Sequence, residues 1–83
     1  MATTRFTMVW CDVPKDQYRS LPADVQAQVD DALELLSTDP VEHGTYDRGT
    51  DHWSTPFGGG NGFILYALSR EHSKVMLLRI IAL

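Results

Sequence analysis

Cysteine is nearly missing from this 83-residue chain. Cys11 stands alone, so neither an internal disulfide nor a cysteine-built zinc site is available. Positive charge is scarce as well: seven Lys and Arg stand against eleven Asp and Glu, a formal net charge of −4. The cations are scattered along the chain as Arg5, Lys15, Arg19, Arg48, Arg70, Lys74 and Arg79. Affinity for nucleic acid comes from Lys and Arg neutralising phosphates, so this balance argues against generic nucleic-acid binding while leaving room for a local basic patch. No stretch approaches the ~18 apolar residues of a membrane span. The start, Met1 to Arg5, lacks the basic region and apolar run of a secretory leader. Repeats, linkers and low-complexity tracts are also lacking. The expectation is a soluble, cytoplasmic protein of one domain, residues 1–83, with no length for a second core.

What is present has the composition of a packed domain: 43% hydrophobic and 22% charged residues exclude wholesale disorder. A chain this short buries only about 60–65% of its unfolded surface, so modest stability is expected, which dimerisation or a partner could supplement. Thr4–Cys11 alternates, with Phe6, Met8 and Trp10 on one side, and predicts a strand with one apolar face. Asp12 is placed to cap a short helix from Pro14 to about Ser20, with Pro14 in the first turn, where its missing N–H costs nothing. From Pro22 to Ser37, Val25, Val29, Ala32, Leu33 and Leu36 form one helical stripe. Asp39-Pro40 stops that helix, because the residue before proline avoids the α region.

Val41–Gly49 is polar and reads as a loop. Asp51–Thr55, centred on Trp53, predicts a short strand whose end Pro56 puts at a sheet edge. Gly62–Leu68 is nearly all apolar, as in a central strand covered on both faces. Ser69–Ser73 is a polar hairpin loop, and Lys74–Leu83 is the last strand. The order is β-α-α-β-β-β, and layer rules make it an α+β fold: an antiparallel sheet with a two-helix hairpin packed on one face.

Several groups of residues carry possible chemistry. Phe57-Gly58-Gly59-Gly60-Asn61 has the backbone for a phosphate cradle, but a strand follows where a helix N-terminus is needed, and no Lys lies nearby; a flexible β-connection accounts for it. His43 and His52 flank Tyr46, Asp47, Arg48 and Asp51, the densest set of functional groups in the chain. A general base or a phosphate-binding Arg could be drawn from it, and so could an ordinary solvated loop. His72 falls at a hairpin tip. No His or carboxylate spacing suggests a metal site, and no cofactor is expected. Lys15 and Arg19, at i and i+4, make the only basic helix face, open to nucleic acid, an acidic partner or water alone. Trp10 and Trp53 read as core aromatics, Tyr66 as a core residue or site rim whose hydroxyl needs a partner, and Cys11 as a buried small residue.

In this order the chain resembles the RelE/ParE superfamily of bacterial toxin–antitoxin modules over nearly its full length. The resemblance rests on the aromatic strand Phe6-Thr-Met-Val-Trp10 and on Tyr18-Arg-Ser-Leu-Pro22, similar to the family's L-x-x-L-P junction. It continues through the helix Val25–Leu36 running into Ser37-Thr-Asp-Pro40, and Gly62-Phe-Ile-Leu-Tyr66, which is similar to the family's Y-R-V-I-Y strand. It implies a toxin acting on translation, by ribosome-dependent mRNA cleavage, or on gyrase, and neutralised by a cognate antitoxin. Members that cut mRNA carry Arg and Lys on the sheet's concave face and a base or acid near the C-terminus. Here the Y-R step reads Gly62-Phe63, the preceding strand reads Ser54-Thr-Pro-Phe-Gly58, and the sequence stops at Leu83 without the family's tail. Losing several charge-stabilising donors, one of which alone is worth roughly 2.7–4 kcal/mol, argues against the usual ribonuclease route. The surviving catalytic candidates are Arg48, His52, Tyr66 and Arg79, with Lys15 and Arg19 as a nucleic-acid or partner-binding face. The competing reading is a non-catalytic interaction module of the same fold, kept as a homodimer or partner-binding domain.

Overall fold

The computed structural model describes residues 5–83. Its elements are β1 (Thr7–Trp10), α1 (Asp12–Arg19), α2 (Ala23–Thr38), β2 (Thr45–Asp47), β3 (His52–Phe57), β4 (Gly62–Ser69) and β5 (Lys74–Ala82). The strands form one sheet in the order β1-β5-β4-β3-β2, and α2 lies against it. The fold is α+β as expected, with two refinements. First, β1 runs parallel to β5, Thr7 opposite Lys74 and Trp10 opposite Leu77, so the sheet is mixed. Second, the predicted loop Val41–Gly49 contains β2, three exposed residues paired antiparallel with β3. Thr4, where the predicted first strand began, lies outside the described residues.

The helical stripe read from the sequence is the one that packs. Val29 and Leu36 are fully buried and Ala32 nearly so, while Val25 and Leu33 pack part-buried around them. Burying a Val or Leu stabilises by about 1.5–3 kcal/mol. On the sheet side the core takes Phe57 from β3, Ile64 and Tyr66 from β4, and Val75, Leu77 and Ile80 from β5. The step from 77 to 80 breaks the period of two. A bulge makes it possible: Leu65 pairs with Arg79 but Tyr66 pairs with Leu77, so Leu78 is the extra residue and both Leu77 and Ile80 face the helices.

Other local expectations change. β4 is central, yet it alternates instead of being covered on both faces: Gly62, Ile64 and Tyr66 are buried while Phe63 is 40% exposed. One face of the sheet is therefore open. Cys11 is exposed rather than buried; it is the N-cap of α1, makes no side-chain cap bond, and leaves Asp12 as the first helical residue, where its charge suits the helix N-terminus. Asp39 ends α2 in an extended conformation, and its carboxylate accepts the N–H groups of Val41 and Glu42, folding the next turn. Pro56 lies within β3 beyond the three residues that β2 covers, so its missing N–H falls on a free edge.

Candidate functional site

Strand register decides which side chains share the open face. Thr45, Ser54, Leu65 and Arg79 form one row across β2, β3, β4 and β5, and Asp47 stands opposite His52 one step away. A hollow of about 170 Å³ lies on this face between Asp47, Thr50, His52, Ser54 and Leu65, with Trp53 at its margin. His52 stands opposite Asp47 across the β2–β3 pair, and Arg79 offers a guanidinium two strands away. Strand spacing puts their Cα atoms on the order of 12 Å apart, so the two can flank a ligand lying across Ser54 and Leu65. Arg48 is exposed in the turn between β2 and β3. The other end of the face is apolar: Phe63 pairs with Ile81 on one side and Pro56 on the other, and Ile81 is 38% exposed.

Tyr66 is not on this face. Its side chain is fully buried on the helix side, and its hydroxyl donates to the Pro40 carbonyl at 2.6 Å. Burial pushes its pKa up to about 12. The structure thus puts His52 and Arg79 on one face, leaves Arg48 in the turn at the end of the sheet, and puts Tyr66 behind it. Among the other histidines, His43 accepts the buried Thr55 hydroxyl with its carbonyl, and His72 lies in the β4–β5 turn. Among the described residues no cluster of His, Cys, Asp or Glu could hold a metal.

Lys15 and Arg19 border a second hollow, about 300 Å³, with Trp10, Tyr18 and Asp30. Trp10 and Tyr18 meet edge to face at 5.3 Å, and the Tyr18 hydroxyl donates to Asp30 at 2.8 Å. That bond, then burial, raises the Tyr18 pKa. Asp12 and Asp16 share the exposed side of α1 with the two cations, so the face is mixed in sign rather than basic. A third hollow, the largest at about 540 Å³, is lined by Tyr46, Asp51, Trp53, Leu68 and Arg70 on the helix side, beyond the reach of the helices.

The arrangement matches solved structures over more than nine tenths of the chain. A chain of the RelBE2 toxin–antitoxin complex from Mycobacterium tuberculosis superposes with a TM-score of 0.85 at 24% identity, covering 95% of this chain and 99% of that one. The isolated E. coli RelE toxin gives 0.76 at 18% identity over 93% and 83%. A YoeB/ParE toxin from Agrobacterium tumefaciens gives 0.76 at 14% identity over 94% and 99%. This is the RelE/ParE toxin fold. No protein-family model matches the chain, and no curated protein does.

Within the RelE fold, the departure at Gly62-Phe63 has a packing cause. A Cβ on Gly62 would stand 2.5 Å from the Phe57 ring and 2.2 Å from the Ile81 carbonyl oxygen. Phe57, 2% exposed, occupies the space that a side chain at 62 needs. Phe63 then faces outward, where the resemblance expects an arginine. The sequence grouped Tyr46 and Asp51 with the histidines but did not join them to Trp53 and Arg70 around the largest hollow, because β2 reads as loop.

Proposed function

We propose that this chain is the toxin-fold member of a toxin–antitoxin pair, acting on translation or gyrase and neutralised by a cognate antitoxin. The observation that carries this reading is the match to the RelE fold over 95% of the chain, with a structure solved as a toxin–antitoxin complex. In this reading the open face is the working surface. If the chain cuts ribosome-bound mRNA, Arg79 and Arg48 stabilise the charge on the phosphate under attack and His52, beside Asp47, handles the proton. Tyr66 then serves from behind the sheet by fixing β4, and Lys15 and Arg19 meet the partner on α1.

The test has two arms. Co-expression with the product of a neighbouring small reading frame should yield a stable complex that relieves growth arrest; a chain that neither arrests growth nor captures that product contradicts the pairing. In an mRNA-cleavage assay on translating ribosomes, Arg79→Ala should lower the rate by on the order of 10²–10³, the usual effect of losing one transition-state donor.

A second reading, a non-catalytic interaction module, is favoured by the exposed Phe63 and Ile81 on the same face, which suit a protein contact better than a phosphate. Partner capture without cleavage or gyrase inhibition selects it, and clear cleavage by pure protein removes it.

A further inference from the structure

The hollow of about 540 Å³ at the sheet's outer end is built from groups that neither reading above uses. Three aromatic rings run from the core to the surface along the helix side: Trp53 stacks on buried Tyr66 at 6.3 Å and 18°, and Tyr46 leans on Trp53 at 5.2 Å. Tyr46 is 43% exposed, yet its ring is held in place. Its hydroxyl donates to the Asp51 carboxylate across the β2–β3 hairpin, and Asp51 holds φ at 58°, a conformation that non-glycine residues rarely adopt. A strained residue thus fixes an exposed ring beside a second one. Arg70 stands at the rim, with no carboxylate within ion-pair distance among the described residues.

We propose that this shelf binds one unpaired nucleotide of a single-stranded nucleic acid, with the RNA strand rA5 as the probe. The base stacks on Tyr46 and Trp53, and Arg70 takes the adjoining phosphate through its planar fork. The carboxylate oxygen of Asp51 that Tyr46 leaves free accepts an N–H from the base edge. The site is distinct from the open face, since Tyr46 and Trp53 point to the helix side while Asp47, His52 and Ser54 point away. Arg48 and Lys74 lie in turns or strand ends that close the same end of the sheet, but Asp47, Asp51 and Glu71 balance them there. Recognition is therefore local: stacking plus one phosphate, without a broad electrostatic attraction.

The test uses the full chain labelled with ¹⁵N and the indole N–H signals of Trp53 and Trp10, assigned with Trp53→Phe. The probes are the pentanucleotides rA5 and rU5 and the mononucleotide 5′-AMP. The rA5 strand should shift the Trp53 signal and leave Trp10 still, and rU5 should bind more weakly because its bases stack less well. Arg70→Glu, in an exposed turn, should weaken rA5 by roughly tenfold or more, and Tyr46→Ala should do the same. The logarithm of affinity should fall with the logarithm of salt at a slope of about −0.7, the value for a single phosphate contact on a single strand. No Trp53 shift with millimolar rA5, equal shifts at both tryptophans, or a slope several times steeper overturns the proposal. Comparable binding of 5′-AMP is expected, since it presents the same base and one phosphate; 5′-AMP binding roughly tenfold or more tighter than rA5 would make the ligand a free nucleotide and overturns the proposal. Because this readout needs no antitoxin, growth arrest or cleavage, it can fail or hold independently of the toxin reading.

Discussion

At the scale of single residues, Tyr66 shows how one buried hydroxyl organises its surroundings. It has one partner, the Pro40 carbonyl, in the segment just after α2, so it ties the central strand to the end of the helix layer. Gly44 makes the approach possible: a Cβ there would lie 1.7 Å from the Tyr66 hydroxyl oxygen and 2.8 Å from the Pro40 oxygen. Tyr66→Phe leaves that carbonyl without its donor and should cost about 1–3 kcal/mol in urea unfolding. The burial of this hydroxyl predicts a pH dependence. Burial lifts the phenol to about 12 in the folded chain, above the ~10 of an unfolded tyrosine. A pKa raised by folding means that the folded state holds the proton more tightly. This contribution is complete below pH ~10 and disappears as the pH rises towards 12, an amount on the order of 2–3 kcal/mol. The stability difference between the wild type and Tyr66→Phe should therefore narrow across that window, as followed by urea titrations at pH 8, 10 and 11. A difference that stays constant would show that the buried phenol does not hold its proton there.

At the scale of elements, the β3–β4 hairpin accounts for the absence of the family's tyrosine–arginine step. Phe57 fills the core position next to Gly62, and the hairpin tip turns on three glycines with positive φ, with Asn61 clipped to Gln28 of α2 at 3.0 Å. Restoring the family residue by Gly62→Tyr should be destabilising by more than ~3 kcal/mol, because overpacking here meets backbone as well as ring. Thermal unfolding should show the loss, and adding Phe57→Ala should recover part of it. Full stability in Gly62→Tyr alone would mean that the hairpin repacks. A second contact between elements joins α1 to β5, where the Gln17 side chain accepts the Ile80 N–H at 2.7 Å just beyond the four residues that β1 covers. Gln17→Ala should raise the exchange rate of the Ile80 amide by roughly fivefold, as expected for about 1 kcal/mol of lost local protection. The long elements were legible because their apolar periods are strong: α2 through Val29, Ala32 and Leu36, β4 and β5 through continuous apolar runs. β2 was not, since Thr45-Tyr46-Asp47 is too short and polar to carry a period. The parallel partner of β1 was not either, because pairing across more than sixty intervening residues leaves no local trace.

At the scale of the whole molecule, the candidate site was legible as residue types and illegible as a place. His52 and Arg79 are far apart in sequence and share the open face only through the β3–β4–β5 register, while the alternation of that same register sends Tyr66 to the other side. Charge behaves similarly. Of the seven cations only Arg5 forms an ion pair among the described residues, with Glu34 at 2.7 Å, and both side chains are more than half exposed. Such a pair contributes about 0–1 kcal/mol. Against it stands the mutual repulsion of a net charge of −4, spread over a body of 36 × 32 × 24 Å. At 10 mM salt the screening length is about 30 Å, so nearly every carboxylate senses every other; at 150 mM it is about 8 Å and only neighbours do. Screening therefore removes more repulsion than attraction. The melting temperature should rise between 10 and 150 mM NaCl by roughly 2–4 °C, corresponding to about 0.5 kcal/mol in a domain of this size. Differential scanning calorimetry at fixed pH 7 measures it directly. A melting temperature that falls with salt would show attractive pairing to dominate, and Arg5→Ala would then have to cost more than the ~1 kcal/mol that an exposed pair can supply.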